Sequence, residues 1–476
     1  MLLCRDRKVR GSLGFLSLGW LSGEQNAVFR ASDYRLSGMD KDQVSTRAGE
    51  FSDDLGSVFS GVGRKLTRRS GILDLMDDLG RAMTLRPEML MLGGGNPAAV
   101  PEVQRIWRER MELLMGAGDA FERVISTYEP PEGNPRFLRA FARLMERSFG
   151  WPITEEHVAV TSGTQTAAFF LFNLFGGRSP RGHARKILLP LSPEYIGYAD
   201  QALEPDLFVS CRPLISWPEG EASRVFKYAI DFDAVEARLK RGDIGLVAIS
   251  RPTNPTGNVV TQAELGRLSD LAAEHGVPLM VDGAYGVPFP GVVYGEAQPH
   301  YAPHVINTLS LSKLGLPGTR TGIVVGPREV ISAIKSMTAI AGLANGNLGQ
   351  RLVLPLVESG EILRIGPEIL RPFYEERRRA ALGVVREELD RVGVDWAVHA
   401  SEGAFFLWLW LRGLSFSTRE LYERLKEREV LVVPGEYFFY GLEEPMVQAR
   451  ECVRLNFAQS PEVVAEGVRR MAAELG

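Results

Sequence analysis

The chain is short of cysteine, histidine and lysine, and each shortage removes a class of chemistry. Its three cysteines, Cys4, Cys211 and Cys452, lie far apart with no metal-binding or redox spacing. That pattern points to a reducing cytoplasm, with neither a disulfide scaffold nor a metal site. His300 and His304 are four apart, but Pro303 stands between them, so they do not share a helix face and are expected in a loop. No apolar run nears the ~18 residues of a membrane span; the longest, FFLWLWL at 405–411, has the length of a strand. A formal net charge of −4 gives no reason to expect nucleic acid or an acidic membrane surface as partner. There is no P-loop, no G-x-S-x-G elbow and no H-E-x-x-H helix, which sets those chemistries aside.

Lysine is the useful scarcity. Nine lysines stand beside 46 arginines among the 55 basic residues, so candidates for lysine chemistry can be weighed singly. Lys240, Lys335 and Lys426 fall in or at the ends of amphipathic helices, and Lys186 and Lys227 flank strand starts. Lys8, Lys41 and Lys65 lie in polar N-terminal sequence. Lys313 differs: it follows the apolar, β-branched run VINTL (305–309) at the point where a buried strand leaves the core.

What is present is a globular chain of two or three domains, 45% hydrophobic and 24% charged. Residues 1–57 stand apart. They open with a basic start and a glycine-broken apolar patch, lack a small-residue cleavage site, and contain Met39 as an alternative start; a disordered extension is expected. From about residue 60, strands alternate with helices: VAVTSG (158–163), KILLPLSPEY (186–195), IGLVAIS (244–250), VPLMVDGAY (277–285), VINTLSLSK (305–313) and TGIVVG (321–326). Near-continuous apolar strands between helices imply a mostly parallel sheet covered on both faces. Thr261 and Glu264 form a capping box at the start of one helix. From 347 a long helical stretch is expected to reach Arg391, with the charge run FYEERRRA as a solvated face, followed by a smaller α+β unit.

In open α/β sheets ligands bind beyond the carboxyl ends of the strands. The polar residues there are Ser162-Gly163-Thr164, Tyr195, Asn254, Asp282 with Tyr285, and Ser310, Ser312, Lys313 and Arg320. Together they suit pyridoxal phosphate. Lys313 is an amine that burial beside other cations turns neutral and nucleophilic towards an aldehyde. Asp282 can keep a pyridine nitrogen protonated, or it can be a turn aspartate. Asn254 and Tyr285 can donate to a ring oxygen, although NPTG alone is also a good turn sequence. Gly163-Thr164-Gln165 opens a helix towards an anion, and Ser310, Ser312 and Arg320 add hydroxyls and a guanidinium fork. Tyr195 can stack on a ring or simply pack. Arg454, in the apolar strand CVRLNFA, needs an anion, either a substrate carboxylate or an internal Asp or Glu.

These residues resemble a known family. SLSKLGLPGTRTG (310–322), RPTNPTGNV (251–259), VDGAYGVPFPG (281–291) and TSGTQTA (161–167) are similar to the class I/II aminotransferases of PLP fold type I. MLGGGNPA (91–98), PEYIGYAD (193–200) and FFLWLW (405–410) resemble its valine–pyruvate branch. The resemblance runs from about residue 58 to the C-terminus. It implies an α/β fold: a large domain with a mostly parallel central sheet flanked by helices, plus a smaller α+β domain. The expected division is 58–100 joining the small domain, 101–346 as the large domain, and 347–476 as connecting helix and small domain. It implies Lys313 as the lysine that holds the cofactor and acts as base, Asp282 on the pyridine nitrogen, and Asn254 and Tyr285 on the ring oxygen. Gly163, Thr164, Gln165, Ser310, Ser312 and Arg320 become the phosphate cup, and Tyr195 the stacking residue. Arg454 and Gly95 meet the substrate carboxylate, with Asn254 beside them. Tyr128 is implied to reach the neighbouring subunit's phosphate in a homodimer.

The implied reaction is amino transfer between valine and pyruvate. The alternatives are another apolar amino acid, C–S β-elimination, or a regulator that reuses the fold. The last would need a DNA-binding domain, and the stretch before Met39, with six Lys/Arg and three Asp/Glu, does not resemble one.

Overall fold

The computed structural model describes residues 58–476 apart from 86, 87 and 181, and the expectation for residues 1–57 lies outside it. Residues from Ser60 onward make up one unit. Its central sheet has eight strands, in the order Val158–Thr161, Gly322–Val325, Val305–Ser310, Leu279–Gly283, Ile244–Ser250, Ala184–Leu189 and Gly177–Arg178, with Phe208–Ser210 also paired to Ala184–Leu189. The pairs among 184–189, 208–210, 244–250, 279–283 and 305–310 are parallel, and Gly322–Val325 runs antiparallel to both its neighbours. Most of these strands are buried along their whole length, because helices cover both faces and leave no side that tolerates polar residues.

Register is what matters for the site. Ser250 stands opposite Asp282, Asp282 opposite Thr308, Ser310 opposite Gly322, and Gly322 opposite Thr161. The polar residues that end four sequence-distant strands, with Gly322 at the start of a fifth, therefore form one row along a single edge. The capping box closes as expected: Thr261 Oγ1 accepts from the Glu264 N–H at 3.1 Å and Glu264 Oε2 accepts from the Thr261 N–H at 2.8 Å.

A second, six-stranded sheet runs Val433–Pro434, Cys452–Asn456, Phe406–Leu411, Trp396–His399, Val225–Ala229 and Leu214–Ser216. Its last two strands come from inside the stretch expected to be wholly large domain, so the chain crosses to the second sheet and returns. A short parallel pair joins Leu90–Met91 to Val430–Leu431. The helical stretch after 347 is broken rather than continuous: Leu348–Ser359, Ile362–Ile365, a π-helical turn at Gly366–Leu370, then Arg371–Arg391. Pro367, with no N–H to give, sits in that turn. His300 and His304 lie outside helices, and Cys211 and Cys452 are free and buried. No described helix is long and apolar enough to cross a membrane.

Gly322 marks the tightest point of the site edge. A Cβ there would stand 2.6 Å from Gly163 C and 2.7 Å from Thr164 N, both backbone atoms that cannot swing aside. Gly322→Ala is therefore expected to cost about 1–3 kcal/mol by overpacking and to displace the turn that opens the next helix. A lower melting temperature together with weaker binding of inorganic phosphate checks this; an unchanged melt refutes it.

Candidate active site

At the carboxyl edge of the central sheet lies a cavity of about 180 Å³. Twelve residues singled out from the sequence line it: Gly95, Thr164, Gln165, Tyr195, Asn254, Asp282, Tyr285, Ser310, Ser312, Lys313, Arg320 and Arg454. Gly163 adjoins it as the residue before the helix Thr164–Phe175. Tyr128 does not reach it and stands 80% exposed.

Lys313 follows strand Val305–Ser310 in a short 3-10 turn, Ser312–Leu314, which the Trp107 indole N–H pins by donating to Leu314 O at 2.7 Å. Its Nζ donates to Gly95 O at 2.5 Å and lies 5.2 Å from the Tyr285 ring centre. Burial, then the Arg454 and Arg320 charges, bring the amine down from 10.5 to about 7. A buried ammonium has lost its hydration and faces two guanidiniums, so the neutral amine is favoured.

Asp282 is buried and forms no salt bridge among the described residues. Its Oδ1 accepts from Thr308 Oγ1 at 2.9 Å and from the Ala284 N–H at 3.0 Å, and its Oδ2 accepts from the Tyr198 hydroxyl. Burial pushes this carboxyl up, and the three hydrogen bonds oppose that shift. Arg454 is 2% exposed. Its Nη1 donates to Asn254 Oδ1 and its Nη2 to Gly93 O, both at 2.6 Å, while Nε has no partner. The guanidinium lies 4.3 Å from the Phe406 ring centre. Burial lowers it to about 10, with Tyr285 and Tyr195 acting the other way, so it stays charged at neutral pH. Among the described residues no internal carboxylate pairs with it.

The anion end is built from a helix start and a guanidinium. Gly163 has φ +89°, a backbone conformation that other residues rarely adopt, and a Cβ there would stand 2.3 Å from Arg320 Nη2, so the guanidinium would have to move. Arg320 Nη2 donates to Ser162 O at 3.3 Å, and the Ser310 and Ser312 hydroxyls stand beside it in the cavity lining. Gln165 contributes through its backbone, since its side-chain amide donates to Gly197 O at 2.9 Å. The donor set fits pyridoxal phosphate: an anion cup, an uncompensated carboxylate for a pyridinium, two donors for a ring oxygen and a neutral amine for an aldehyde.

Sequence reasoning missed several residues. Tyr198 and Thr308 hold Asp282, Ser250 lines the cavity, and Ile72, Leu75 and Met76 close one side of it. Thr308 could have been found from strand alternation, two residues before Ser310. The three apolar residues have the i, i+3, i+4 spacing of a helix face, Gly71–Leu85, but only the fold shows what that face covers.

Two checks follow from Lys313. In apoprotein carrying isotope-labelled lysine, one of nine lysine signals should titrate near 7 and vanish in Lys313→Ala. The folded pKa is the lower one, so between about 7 and 10.5 the unfolded chain binds the extra proton. The Lys313 contribution to apoprotein stability must then rise with pH across that window. A denaturation series in which Lys313→Met keeps the wild-type pH slope would contradict the assignment.

Comparison with known proteins agrees with this geometry. The sequence pattern of the family "Aminotransferase class I and II" matches residues 95–471. The valine–pyruvate aminotransferase of Escherichia coli (strain K12) is 43% identical over 420 residues, covering 88% of this chain and 98% of that protein. Among solved structures, a putative amino-acid aminotransferase from Psychrobacter arcticum 273-4 superposes with a TM-score of 0.84 at 39% identity, covering 88% of this chain and 98% of the other. Valine–pyruvate aminotransferase from Salmonella typhimurium LT2 gives 0.76 at 41% identity, covering 85% and 98%. Read with the buried lysine, the uncompensated aspartate and the anion cup, these likenesses place the chain in the class I and II aminotransferases, enzymes that depend on pyridoxal phosphate.

Proposed function

We propose that this aminotransferase moves the amino group of valine to pyruvate, giving 2-oxoisovalerate and alanine. The observation that carries the reading is the composition of the cavity wall. Of the two guanidiniums that line the cavity, Arg320 belongs to the anion cup and Arg454 is left for a substrate, and aliphatic side chains, Ile72, Leu75, Met76 and Ile196, also line it. A donor with one carboxylate and a branched apolar side chain suits that lining better than a dicarboxylate does. The identity with the Escherichia coli valine–pyruvate enzyme supports the same choice.

Pyridoxal phosphate, when bound, supplies the electron sink that makes an amino acid's Cα–H acidic. The chain's own residues do the rest. The helix start at Thr164–Gln165, with Ser310, Ser312 and Arg320, holds the phosphate, and Asp282 keeps a positive charge on the ring nitrogen. Arg454 binds the donor's α-carboxylate, its guanidinium held by Asn254 Oδ1 and Gly93 O. Lys313 Nζ, about half neutral near pH 7, takes the proton from Cα and returns it on the other side of the transfer. The burial of Asp282 and Arg454 limits access of bulk water to this end of the cavity.

The homodimer belongs to the same reading. Tyr128 is exposed, yet its chain is held firmly, because Asn347 Nδ2 donates to Thr127 O at 2.6 Å and to Val124 O at 3.1 Å. An ordered, outward tyrosine suits a role in a neighbouring subunit's phosphate cup. Two free buried cysteines suit a reducing cytoplasm.

A donor and acceptor panel tests the proposal: valine with pyruvate is expected to give the highest kcat/KM, well above aspartate with 2-oxoglutarate. Release of pyruvate and ammonia from cystathionine without amino transfer would replace it with a lyase. Arg454→Met leaves a substrate carboxylate unpaired, a loss of about 2–5 kcal/mol. It should lower kcat/KM for valine by at least ~30-fold while the bound cofactor's absorbance is kept.

A further inference from the structure

Glu194 is a buried acid that the scheme above does not use. It is 1% exposed and pairs with no cation among the described residues. Its Oε1 accepts from the Ser250 N–H at 2.7 Å, and its Oε2 accepts from Ser250 Oγ at 2.8 Å and from the Tyr195 N–H at 2.9 Å. Ser250 ends its strand directly opposite Asp282, so the Glu194 carboxylate is tied to the neighbour of the residue that faces the pyridine nitrogen. Four residues on, Tyr198 of the same segment donates to Asp282 itself. The short loop from Glu194 to Tyr198 thus touches two adjacent strand ends and presents Tyr195 to the cavity between them.

The second side of this loop is held by the C-terminal part of the chain. The Glu194 N–H donates to Phe438 O at 3.1 Å, and the Tyr440 hydroxyl donates to Tyr195 O at 2.9 Å. The titratable groups facing Glu194 are therefore Asp282 on the sheet, Tyr195 and Tyr198 on its own loop, and Tyr440 from the C-terminal side. The hydroxyls of Tyr198 and Tyr440 are pushed well up, by burial first and by nearby carboxylates next, so they remain donors.

We propose that Glu194 is a positioning residue: its carboxylate fixes Tyr195 and adds negative potential behind Asp282, so the grip on the cofactor ring weakens when Glu194 takes up a proton. Nothing in its surroundings forbids either state. As an anion it accepts all three hydrogen bonds. When a solvent proton binds to Oε2, the Ser250 hydroxyl can turn from donor to acceptor, because a hydroxyl does both. Burial is the largest effect on this carboxyl and pushes it up to about 7, with the hydrogen bonds opposing and Asp282 adding to the rise. Two carboxylates buried side by side favour a cation more than one does. Loss of the second charge on acidification therefore lowers the preference for a protonated pyridine ring.

The test rests on cofactor affinity and a vibrational band rather than turnover, so it stands even if valine is not the donor. Lys313→Ala removes the other group that titrates near 7, and the cofactor's own phosphate titrates alike in both arms. In that background, pyridoxal phosphate affinity should fall about tenfold more between about pH 8 and about pH 6 with Glu194 present than with Glu194→Gln. The glutamine amide satisfies only one of the two N–H donors, so overall affinity drops too, and the pH step is the informative quantity. Infrared difference spectra of the apoprotein should show a protonated-carboxyl band growing over the same range and missing from Glu194→Gln. Equal pH steps in the two proteins, or no such band, would overturn the proposal. If Glu194→Gln does not fold, Ser250→Ala takes its place: losing the hydroxyl that stabilises the anion should move the step to higher pH, and an unmoved step counts against it.

Discussion

Asp282 and Arg454, both buried, and Lys313, half-buried, surround one small cavity, and no two of them pair with each other among the described residues. Burying charge without a partner is costly, and the group shifts its proton equilibrium or waits for a ligand. Each of the three resolves the cost differently. Lys313 gives up its proton near neutrality, Asp282 collects three hydrogen bonds without a cation, and Arg454 stays charged with its Nε unpartnered. On the proposed function, a ligand carrying a phosphate, a pyridinium and an aldehyde, followed by one carrying a carboxylate, would answer all three. That pattern of unmet demands explains why the surrounding chain is so tightly arranged.

The arrangement draws on three distant parts of the chain. Carbonyls of the glycine run at 93–95 accept from Arg454, Asn456 and Lys313. The second sheet delivers Arg454 from Cys452–Asn456 and sets Phe405 and Phe406 edge-on to Tyr285. The central sheet delivers the row of strand ends. Asn254 is the hinge point between these parts, since its Oδ1 is spent on Arg454 and only its amide N–H groups remain to donate elsewhere.

Much of the site was legible because its residues sit where apolar strands stop. A polar side chain at the end of VINTL or VPLMV is conspicuous against its background, and so were Lys313, Asp282 and Ser310. Arg454 stood out for the same reason inside its strand. The rest was hidden for physical reasons. Strands Leu214–Ser216 and Val225–Ala229 have no local mark that sends them to the second sheet, because pairing choice is a non-local matter. The helix Gly71–Leu85 shows an apolar face, but which surface receives it depends on the whole fold. Glu194 follows a proline in LSPEY and looks like a loop acid at the surface; its burial comes from Phe438 and Tyr440, more than 200 residues later in the chain.

The near absence of lysine acquires meaning when Lys313 is set beside Arg454. Both line the same cavity, and loss of hydration acts on both in the same direction. The ammonium starts at 10.5 and reaches about 7; the guanidinium starts at 12.5 and reaches only about 10. At neutral pH one is therefore a base that can gain and lose a proton, and the other a fixed positive charge. Exchanging the two residue types would invert the roles, since an arginine at 313 could not release its proton and a lysine at 454 would lose its charge on burial. The chain places a lysine at 313, where the cation must be able to become neutral, and an arginine at 454, where it must not.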